Sequence, residues 1–269
     1  WGLSKIYHNS KSNALKHLIE PTLRYRYITG IDDFERTIRF DEVDTIANTN
    51  EIELALFNRI FVKRKTEYGQ LNHEWLSFKV AQKYFFNPNF SGAHHPGTIN
   101  QFFPLNTLTG FPYGAIERQF TPVTSVLRFS PQQHYNFDIR ADYDPAFDTF
   151  RNFSITGFMT RSGIYLGTAY FHTRKLEPGT LDSDQIQGQL VIGNLQRGLS
   201  GSTIFSYDAE NQRFLTYRAG LNYFWDCCGI SLEFQGFNVG FREEKQVRFS
   251  FFLKGLGNFG MIRRPDRIF

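Results

Sequence analysis

Apolar and polar side chains alternate with a two-residue period in several segments, which is the pattern of a β-strand with two different faces. The clearest segment spans residues 134–144, and residues 215–225 and 246–254 repeat its pattern. Its apolar positions are Tyr135, Phe137, Ile139, Ala141 and Tyr143, and its polar positions are His134, Asn136, Asp138, Arg140, Asp142 and Asp144. The pattern therefore predicts strands with one apolar and one ionic or amide face.

Weaker alternation predicts further strands at residues 17–28, 51–65, 72–84, 121–130, 149–161, 163–173, 185–195, 199–208 and 228–236. Together the segments give about twelve strands of about ten residues, the length that a tilted strand needs to cross a bilayer. No convincing helix is predicted between them. We therefore expect an all-β fold, a transmembrane antiparallel β-barrel.

The links between the predicted strands differ in length, as expected for a barrel with short periplasmic turns and longer outer loops. Short links are predicted at Tyr68-Gly69, Pro131-Gln132, Arg161-Ser162-Gly163, Gln196-Arg197-Gly198 and Asp226-Cys227. Long links are predicted near residues 29–50, 85–120 and 174–184, whereas those near residues 144–147 and 208–212 are short. The longest link contains Pro88, Pro96, Pro104 and Pro112, which favours an ordered irregular loop.

Composition agrees with such a sheet. Aromatic residues make up 17% of the chain, with Phe 30 and Tyr 13, as an aromatic-girdled barrel surface requires. No run of about eighteen apolar residues occurs, so a transmembrane helix is excluded. The net charge of +4 is small and scattered, which gives nucleic-acid binding little support. The chain opens at Trp1 without an initiator Met or a signal sequence, so we expect a fragment.

Several segments resemble the LptD family of lipopolysaccharide-assembly proteins. The first group comprises His17-Leu-Ile-Glu-Pro-Thr-Leu-Arg-Tyr-Arg-Tyr27, Gly30-Ile-Asp-Asp-Phe34, Phe40-Asp-Glu-Val-Asp44 and residues 51–64 with Leu56-Phe-Asn-Arg59. The second comprises Tyr223-Phe-Trp-Asp-Cys-Cys-Gly-Ile230 and residues 249–257 with a Leu-Lys-Gly-Leu-Gly ending. The adjacent cysteines are the most specific of these features.

This resemblance implies that residues 1–269 are the C-terminal portion of a larger outer-membrane barrel. Such a barrel accepts lipopolysaccharide from a periplasmic LptA-like bridge, through an N-terminal domain missing here, and releases it laterally into the outer leaflet. It also implies an LptE-like plug lipoprotein inside the barrel, and a final strand, about residues 246–254, that lacks a partner in this chain. Neither an enzyme nor a cofactor is expected.

Cys227 and Cys228 bond to each other only with strain, and the chain has no other cysteine. In an oxidising compartment both are expected to pair with partners elsewhere. Free thiols and a strained vicinal disulfide are the alternatives. The resemblance implies that the partners lie in the N-terminal periplasmic domain. A periplasmic turn at Asp226-Cys227 would put the long links at residues 29–50 and 85–120 outside the cell.

Polar residues on the strand faces are candidates for the lumen wall: His134, Asn136, Asp138, Arg140, Asp142, Arg218 and Arg248. A Ser-His-carboxylate hydrolase could be sought in Ser130, His134, Asp138 and Asp142, but alternation favours a polar wall that hydrates or guides a phosphorylated sugar. Arg128, Arg140 and Arg218 are the candidate anion contacts.

Three other motifs are interpreted conservatively. Gly255-Leu-Gly-Asn-Phe-Gly260 has the letters of a dinucleotide fingerprint, but Pro265 interrupts the helix that it needs. Asp32, Asp33, Glu35, Asp41, Glu42 and Asp44 could bind a hard cation, but a solvated loop is the better interpretation. The adjacent His94 and His95 are also expected to be loop residues, so no metal site is predicted.

Other functions remain as alternatives to lipopolysaccharide insertion. A general porin or autotransporter-like barrel would be favoured if the chain closed on itself as a complete barrel. An outer-membrane lipid hydrolase would react with a serine-directed probe. A soluble all-β binding module would not partition into detergent.

Overall fold

The computed structural model describes residues 2–8, 14–33, 36, 48–66, 69–87, 118–132, 134–174, 182–194, 197–239, 242–253 and 257–259. These residues form fourteen strands, which follow one another in sequence order within one sheet. The described strands confirm the expected all-β class. None of the described residues belongs to a helix that could cross a membrane.

The strands are β1 Leu3–His8, β2 Ala14–Ile28, β3 Thr49–Thr66, β4 Gly69–Phe85, β5 Val123–Gln132, β6 Tyr135–Asp144, β7 Thr149–Arg161, β8 Ile164–Thr173, β9 Ser183–Gly193, β10 Gly198–Asp208, β11 Arg213–Trp225, β12 Cys228–Val239, β13 Arg242–Leu253 and β14 Gly257–Phe259. All twelve predicted strands are present, from β2 to β13. Strands β1 and β14 were not predicted.

The chain divides into two compact units. The first comprises residues 1–129, 139–153 and 174–180, and therefore holds β1 to β4 with parts of β5, β6 and β7. Its ladders are antiparallel, and the one between β2 and β3 extends from Leu15↔Val62 to Ile28↔Thr49. A β-bulge interrupts the ladder of β3 and β4 between Ile60 and Phe61.

The second unit comprises residues 130–138, 154–173 and 181–269. Its ladders from β8 to β14 are antiparallel too. The predicted tight turn between β7 and β8 is confirmed at Ser162 and Gly163, with φ values of 46° and 79°. Positive φ at both central residues is the conformation that a two-residue hairpin requires.

Burial alternates along the strands as the sequence pattern predicts. In the first unit, Leu23 and Leu54 face each other across β2 and β3 and are 70% and 61% exposed, whereas Glu51 is 5% exposed. In the second unit, Leu221 and Phe249 are 58% and 67% exposed. Asn222 and Ser250, their immediate neighbours on the opposite face, are 8% and 2% exposed. The apolar face is therefore the open one, and side chains on the polar face cover each other.

Three details of the predicted pattern need correction. His134 lies in the turn before β6 and not in the strand. The link expected at Pro131-Gln132 comes later, because β5 continues to Gln132. The strand that contains Leu253 does have a further neighbour, since β14 pairs with its last residues. By contrast, the links at residues 145–148 and 209–212 are short turns, as the sequence indicates.

Some predictions concern residues outside those described. These include the proline-containing part of the longest link, with His94 and His95, most of the acidic cluster (Glu35, Asp41, Glu42 and Asp44), and residues 255, 256 and 260 of the glycine motif. They also include Tyr68 and Gln196 of two predicted short links and residues 175–181 of a predicted long link.

Candidate functional site

The polar face of the first unit carries a chain of paired charges across three strands. Glu51 of β3 lies between Arg26 of β2, at 3.5 Å, and Lys83 of β4, whose Nζ donates to its carboxylate at 3.2 Å. Lys83 also lies 3.8 Å from Glu53. These side chains meet because the register pairs Arg26 with Glu51 and Lys83 with Glu53. Glu51 and Lys83 are well covered by their neighbours, so the pairing compensates for lost hydration.

Farther along the same face, one aromatic ring is flanked by cations. Arg59 and Lys79 lie 5.1 and 5.2 Å from the ring centroid of Phe57, a geometry that suits cation–π attraction. Arg59 also lies 3.6 Å from Glu20. This part of the face therefore combines an apolar ring with two positively charged side chains.

The end of the longest link is held to the end of β6 by a buried ion pair. Arg118 Nη1 donates to both carboxylate oxygens of Asp144, at 2.9 and 2.8 Å, and Arg151 of β7 lies 3.7 Å from the same carboxylate. Backbone bonds hold the same segment, since Phe85 N donates to Gln119 O and Thr121 N donates to Lys83 O. The contacts fix the point where the link returns to the sheet.

The polar face of the second unit is rich in uncharged hydrogen-bonding side chains. Gln189, Ser200, Asn222 and Ser250 lie on this face in β9, β10, β11 and β13, and each is almost fully buried. Ser200 pairs with Asn222, and Ser231 of β12 pairs with Ser250. Ser200, Asn222, Ser231 and Ser250 therefore form a stripe of amide and hydroxyl groups across β10 to β13, whereas Gln189 lies farther along the same face, opposite Ile204. Such groups can donate to and accept from sugar hydroxyls.

Beside this stripe, two arginines share one carboxylate. Arg218 Nε and Arg248 Nη1 each lie 3.7 Å from an oxygen of Glu233. Arg248 also donates to Gln246 Oε1 at 2.8 Å, and Gln235 donates to the same oxygen at 3.0 Å. Glu244 lies on the same face and accepts a hydrogen bond from Gln246 Nε2 at 3.3 Å, so the cluster holds two guanidinium groups and two carboxylates. The two guanidinium groups can bind an anionic group such as a phosphate. Of the predicted wall residues, Arg218 and Arg248 are thus brought together.

The predicted wall residues of the 134–144 segment differ in exposure and in hydrogen-bond partners. His134 is exposed in its turn, and Arg140 is exposed on β6. Asn136 accepts a hydrogen bond from Ser130 Oγ at 2.6 Å. Asp138 and Asp142 are buried, and Asp142 accepts a hydrogen bond from Asn152 Nδ2 at 3.0 Å. The Ser130 hydroxyl therefore donates to an amide oxygen, a contact that holds two side chains together and does not activate a nucleophile.

The adjacent cysteines lie at the turn between β11 and β12, where the sequence predicts a short link. Cys227 is exposed and Cys228 begins β12. Their Sγ atoms are 2.9 Å apart and both thiols are free. Asp226 and Arg197, from two neighbouring turns, lie 4.0 Å apart beside them. Both sulfurs can therefore be reached from the same end of the strands.

Strand β13 has unequal neighbours. Along one side it pairs with β12 from Arg242↔Val239 to Leu253↔Cys228. Along the other side, within the described residues, it pairs with β14 at Phe251, Phe252 and Leu253. Among the described residues, those from 242 to 250 have no strand neighbour on that side.

No metal site is found among the described residues, since no three His, Cys, Asp or Glu side chains there are grouped suitably. Sequence reasoning did not single out the residues that organise the polar face, namely Glu51, Lys83, Arg118, Asp144, Arg151 and Glu233. Alternation alone identifies which face such residues occupy, but their partners depend on strand register.

Comparison with known families gives a match over most of the chain. A family model described as LPS transport system D, LptD, matches residues 7–193. This range includes the first group of resembling segments and the middle strands, whereas the segment with Cys227 and Cys228 lies beyond it. No match was found among curated proteins. LptD-family proteins are non-enzymatic transporters of the outer membrane. The chain therefore belongs to the LptD family, whose members transport lipopolysaccharide to the outer membrane.

Proposed function

We propose that this chain forms one side of a lateral exit through which lipopolysaccharide enters the outer leaflet. The polar face lines the lumen and guides the glycan, while the acyl chains leave along the edge of β13. Residues 1–269 would then be the C-terminal portion of the barrel domain. The proposal assigns His134, Asn136, Asp138, Arg140, Asp142, Arg218 and Arg248 to the lumen wall.

The observation that carries the proposal is the edge of β13. Within the described residues, its pairing with β14 comprises three residue pairs at one end, whereas its pairing with β12 covers twelve. A lateral exit needs a seam that opens at low cost, and a strand edge with few main-chain hydrogen bonds provides one. The first strand of a complete barrel would close against this edge and part from it during release.

The polar face supports a glycan route. Amide and hydroxyl groups form the stripe from Ser200 to Ser250, and they can exchange hydrogen bonds with a moving sugar without a fixed charge. Arg218 and Arg248 add positive charge near the β13 edge, where phosphate groups of the cargo would pass. Outside the lumen, Val247 and Phe249 of the same strand face the acyl chains.

The partners follow from the same assignment. An LptE-like plug lipoprotein would contact the polar face, and an LptA-like bridge would deliver lipopolysaccharide through an N-terminal periplasmic domain. Cys227 and Cys228 would be disulfide-bonded to that domain, which puts their turn in the periplasm. The links at residues 29–48 and 86–122 would then lie outside the cell.

Photocrosslinking in the full-length protein tests the exit. A benzophenone amino acid replaces Phe249 beside the β13 edge, or Leu54, an equally outward residue on an internal strand. Lipopolysaccharide adducts at residue 249 are expected to rise while new lipopolysaccharide is delivered and to fall when its supply stops. Adducts at residue 54 report only bulk lipid and should not follow the supply. Equal responses at both sites would contradict the lateral exit.

A further inference from the structure

The apolar face of the second unit carries a groove of about 390 Å³ along the seam between β10 and β11. Most of its floor consists of small residues, because Thr203 lies opposite Ala219 and Gly201 is the next residue of β10 on the same face. Leu221, opposite Gly201, is the one large side chain of the two floor strands in the lining. Its walls consist of larger apolar side chains from the two flanking strands, Leu190 and Ile192 of β9 and Leu232 and Phe234 of β12. None of the lining residues is charged.

The groove results from side-chain choice and not from a backbone requirement. A Cβ added to Gly201 would lie 3.6 Å from Leu221 Cδ2 and 3.8 Å from Gly220 O, which are ordinary contact distances. A larger residue would therefore fit at Gly201 and fill the depression. Two strands about 5 Å apart form the floor, a width that suits one hydrocarbon chain.

Aromatic rings close one end of the groove. Phe205 lies opposite Tyr217 on the two seam strands. The ring of Phe205 occupies the space beside Gly188 of β9, and that of Tyr217 occupies the space beside Gly236 of β12, so that a Cβ at either glycine would overlap the ring. Phe214 lies 6.2 Å from the ring centroids of both aromatic residues. The three rings form a stop at this end.

The other end has the features of a bilayer surface. Tyr223 and Trp225 are exposed there with ring centroids 5.5 Å apart, and such rings prefer the level of lipid headgroups. Arg197 lies in the adjoining turn with its side chain 84% exposed and 4.0 Å from the carboxylate of Asp226. On β10 the lining extends from Gly201 to Thr203, about 7 Å at about 3.4 Å per residue.

We propose that this groove is a binding site for a glycerophospholipid, with one acyl chain between Gly201 and Phe205 and the phosphate beside Arg197. A groove one chain wide, with one arginine in the turn at its surface end, matches a lipid that carries a single phosphate. Lipopolysaccharide has several acyl chains, most of which would lie outside this groove. The inference rests on the membrane location of the family and is independent of the proposed lateral exit.

The test uses the full-length protein and vesicles of phosphatidylethanolamine and phosphatidylglycerol that contain a phosphatidylglycerol with a photoreactive acyl chain. Crosslinked peptides are mapped by mass spectrometry. Adducts are expected to concentrate in Gly198–Asp208 and Arg213–Trp225. A second arm replaces the probe with a photoreactive lipid A.

Substitutions inside and outside the groove distinguish lipid binding in the groove from lipid contact elsewhere on the apolar face. Thr203→Leu fills the floor, and Thr168→Leu makes the same change on the apolar face of β8, outside the groove. Thr203→Leu should reduce the seam adducts several-fold, and Thr168→Leu should leave them unchanged. Ala219→Leu fills the groove from the other strand and provides a second variant. Retention of the heat-modifiable form in electrophoresis shows that each variant is folded.

Two results would overturn the proposal. Phospholipid adducts distributed evenly over the outward residues of all strands, or adducts unaffected by both groove-filling variants in folded protein, would mean ordinary bulk lipid contact. Preferential labelling of the seam by lipid A would mean that the groove belongs to the cargo. Neither result bears on the β13 edge, whose test follows lipopolysaccharide supply.

Discussion

Arg118 and Asp144, 26 positions apart in sequence, form a buried ion pair in which Arg118 Nη1 donates to both carboxylate oxygens, at 2.9 and 2.8 Å. Asp144 is fully buried and also faces Arg151. Because Asp144 ends β6 and Arg118 ends the longest link, the pair joins a long connection to the sheet. The Asp144 carboxylate therefore compensates the positive charges of the two guanidinium groups that face it.

Asp144→Asn is expected to destabilise the folded protein by about 3–5 kcal/mol, the usual effect of removing one partner from a buried ion pair. The substitution leaves Arg118 and Arg151 facing each other without their carboxylate. The measurement is the midpoint of heat-induced or denaturant-induced loss of the folded band in electrophoresis. Glu243→Gln is the control, since Glu243 and Lys245 form an exposed pair at 2.9 Å that is worth at most about 1 kcal/mol. Equal midpoints for both variants would contradict this role.

The two faces of β13 predict opposite tolerance to charge at neighbouring positions. Val247 is 69% exposed near the middle of the strand, so Val247→Arg puts a charge into hydrocarbon and should cost roughly 2–4 kcal/mol. Gln246→Arg lies on the polar face and should cost about 1 kcal/mol through its lost amide contacts with Gln235 and Arg248. Folding yields into vesicles at increasing urea would measure both. A larger loss for Gln246→Arg would mean that the faces are assigned the wrong way round.

Much of this fold is predictable because membrane strands repeat a simple period. The segment predicted at residues 149–161 has the bounds of β7, since a clear alternation ends at the Ser162-Gly163 turn. Strand β1 escapes prediction because Leu3, Ile6 and Tyr7 do not keep to one face of its six residues. Strand β14, with three residues, is too short to show any period.

The partners on the polar face are much less predictable. Alternation places Glu233 between Leu232 and Phe234, and hence on the polar face. Its pairing with Arg218 and Arg248 depends on the registers of two ladders, which the period of a single strand does not determine. The contact of Arg118 with Asp144 is even less predictable from the sequence, because strand β5 and the end of a long link separate the two residues along the chain.

The Arg218–Glu233–Arg248 cluster predicts an effect on transport that differs between its two kinds of residue. Arg218→Gln combined with Arg248→Gln removes both cations and should slow the arrival of lipopolysaccharide at the cell surface. Glu233→Gln keeps both cations and should not slow it. These half-buried pairs lie at 3.7 Å, so each contributes at most about 1 kcal/mol to stability and folding should survive.

The measurement for this cluster is the rate at which newly made lipopolysaccharide becomes accessible to an external modifying enzyme, with protein levels matched. Slower arrival in the Glu233→Gln variant, at the same level as in the double arginine variant, would indicate a structural role for the cluster and not attraction of an anionic cargo.

Either of the two adjacent cysteines is expected to form the long-range disulfide when the other is replaced. Cys227 and Cys228 share one turn with their Sγ atoms 2.9 Å apart, so either thiol can reach a partner in a periplasmic domain if its neighbour is lost. Each single Ser substitution should therefore retain a long-range disulfide, and the double substitution should abolish it and impair assembly. Non-reducing electrophoresis of the full-length protein distinguishes these forms by mobility, with a reduced sample as the control. If the double variant and the unsubstituted protein migrate alike without reductant, these thiols have no interdomain partner, and the turn between β11 and β12 need not face the N-terminal domain.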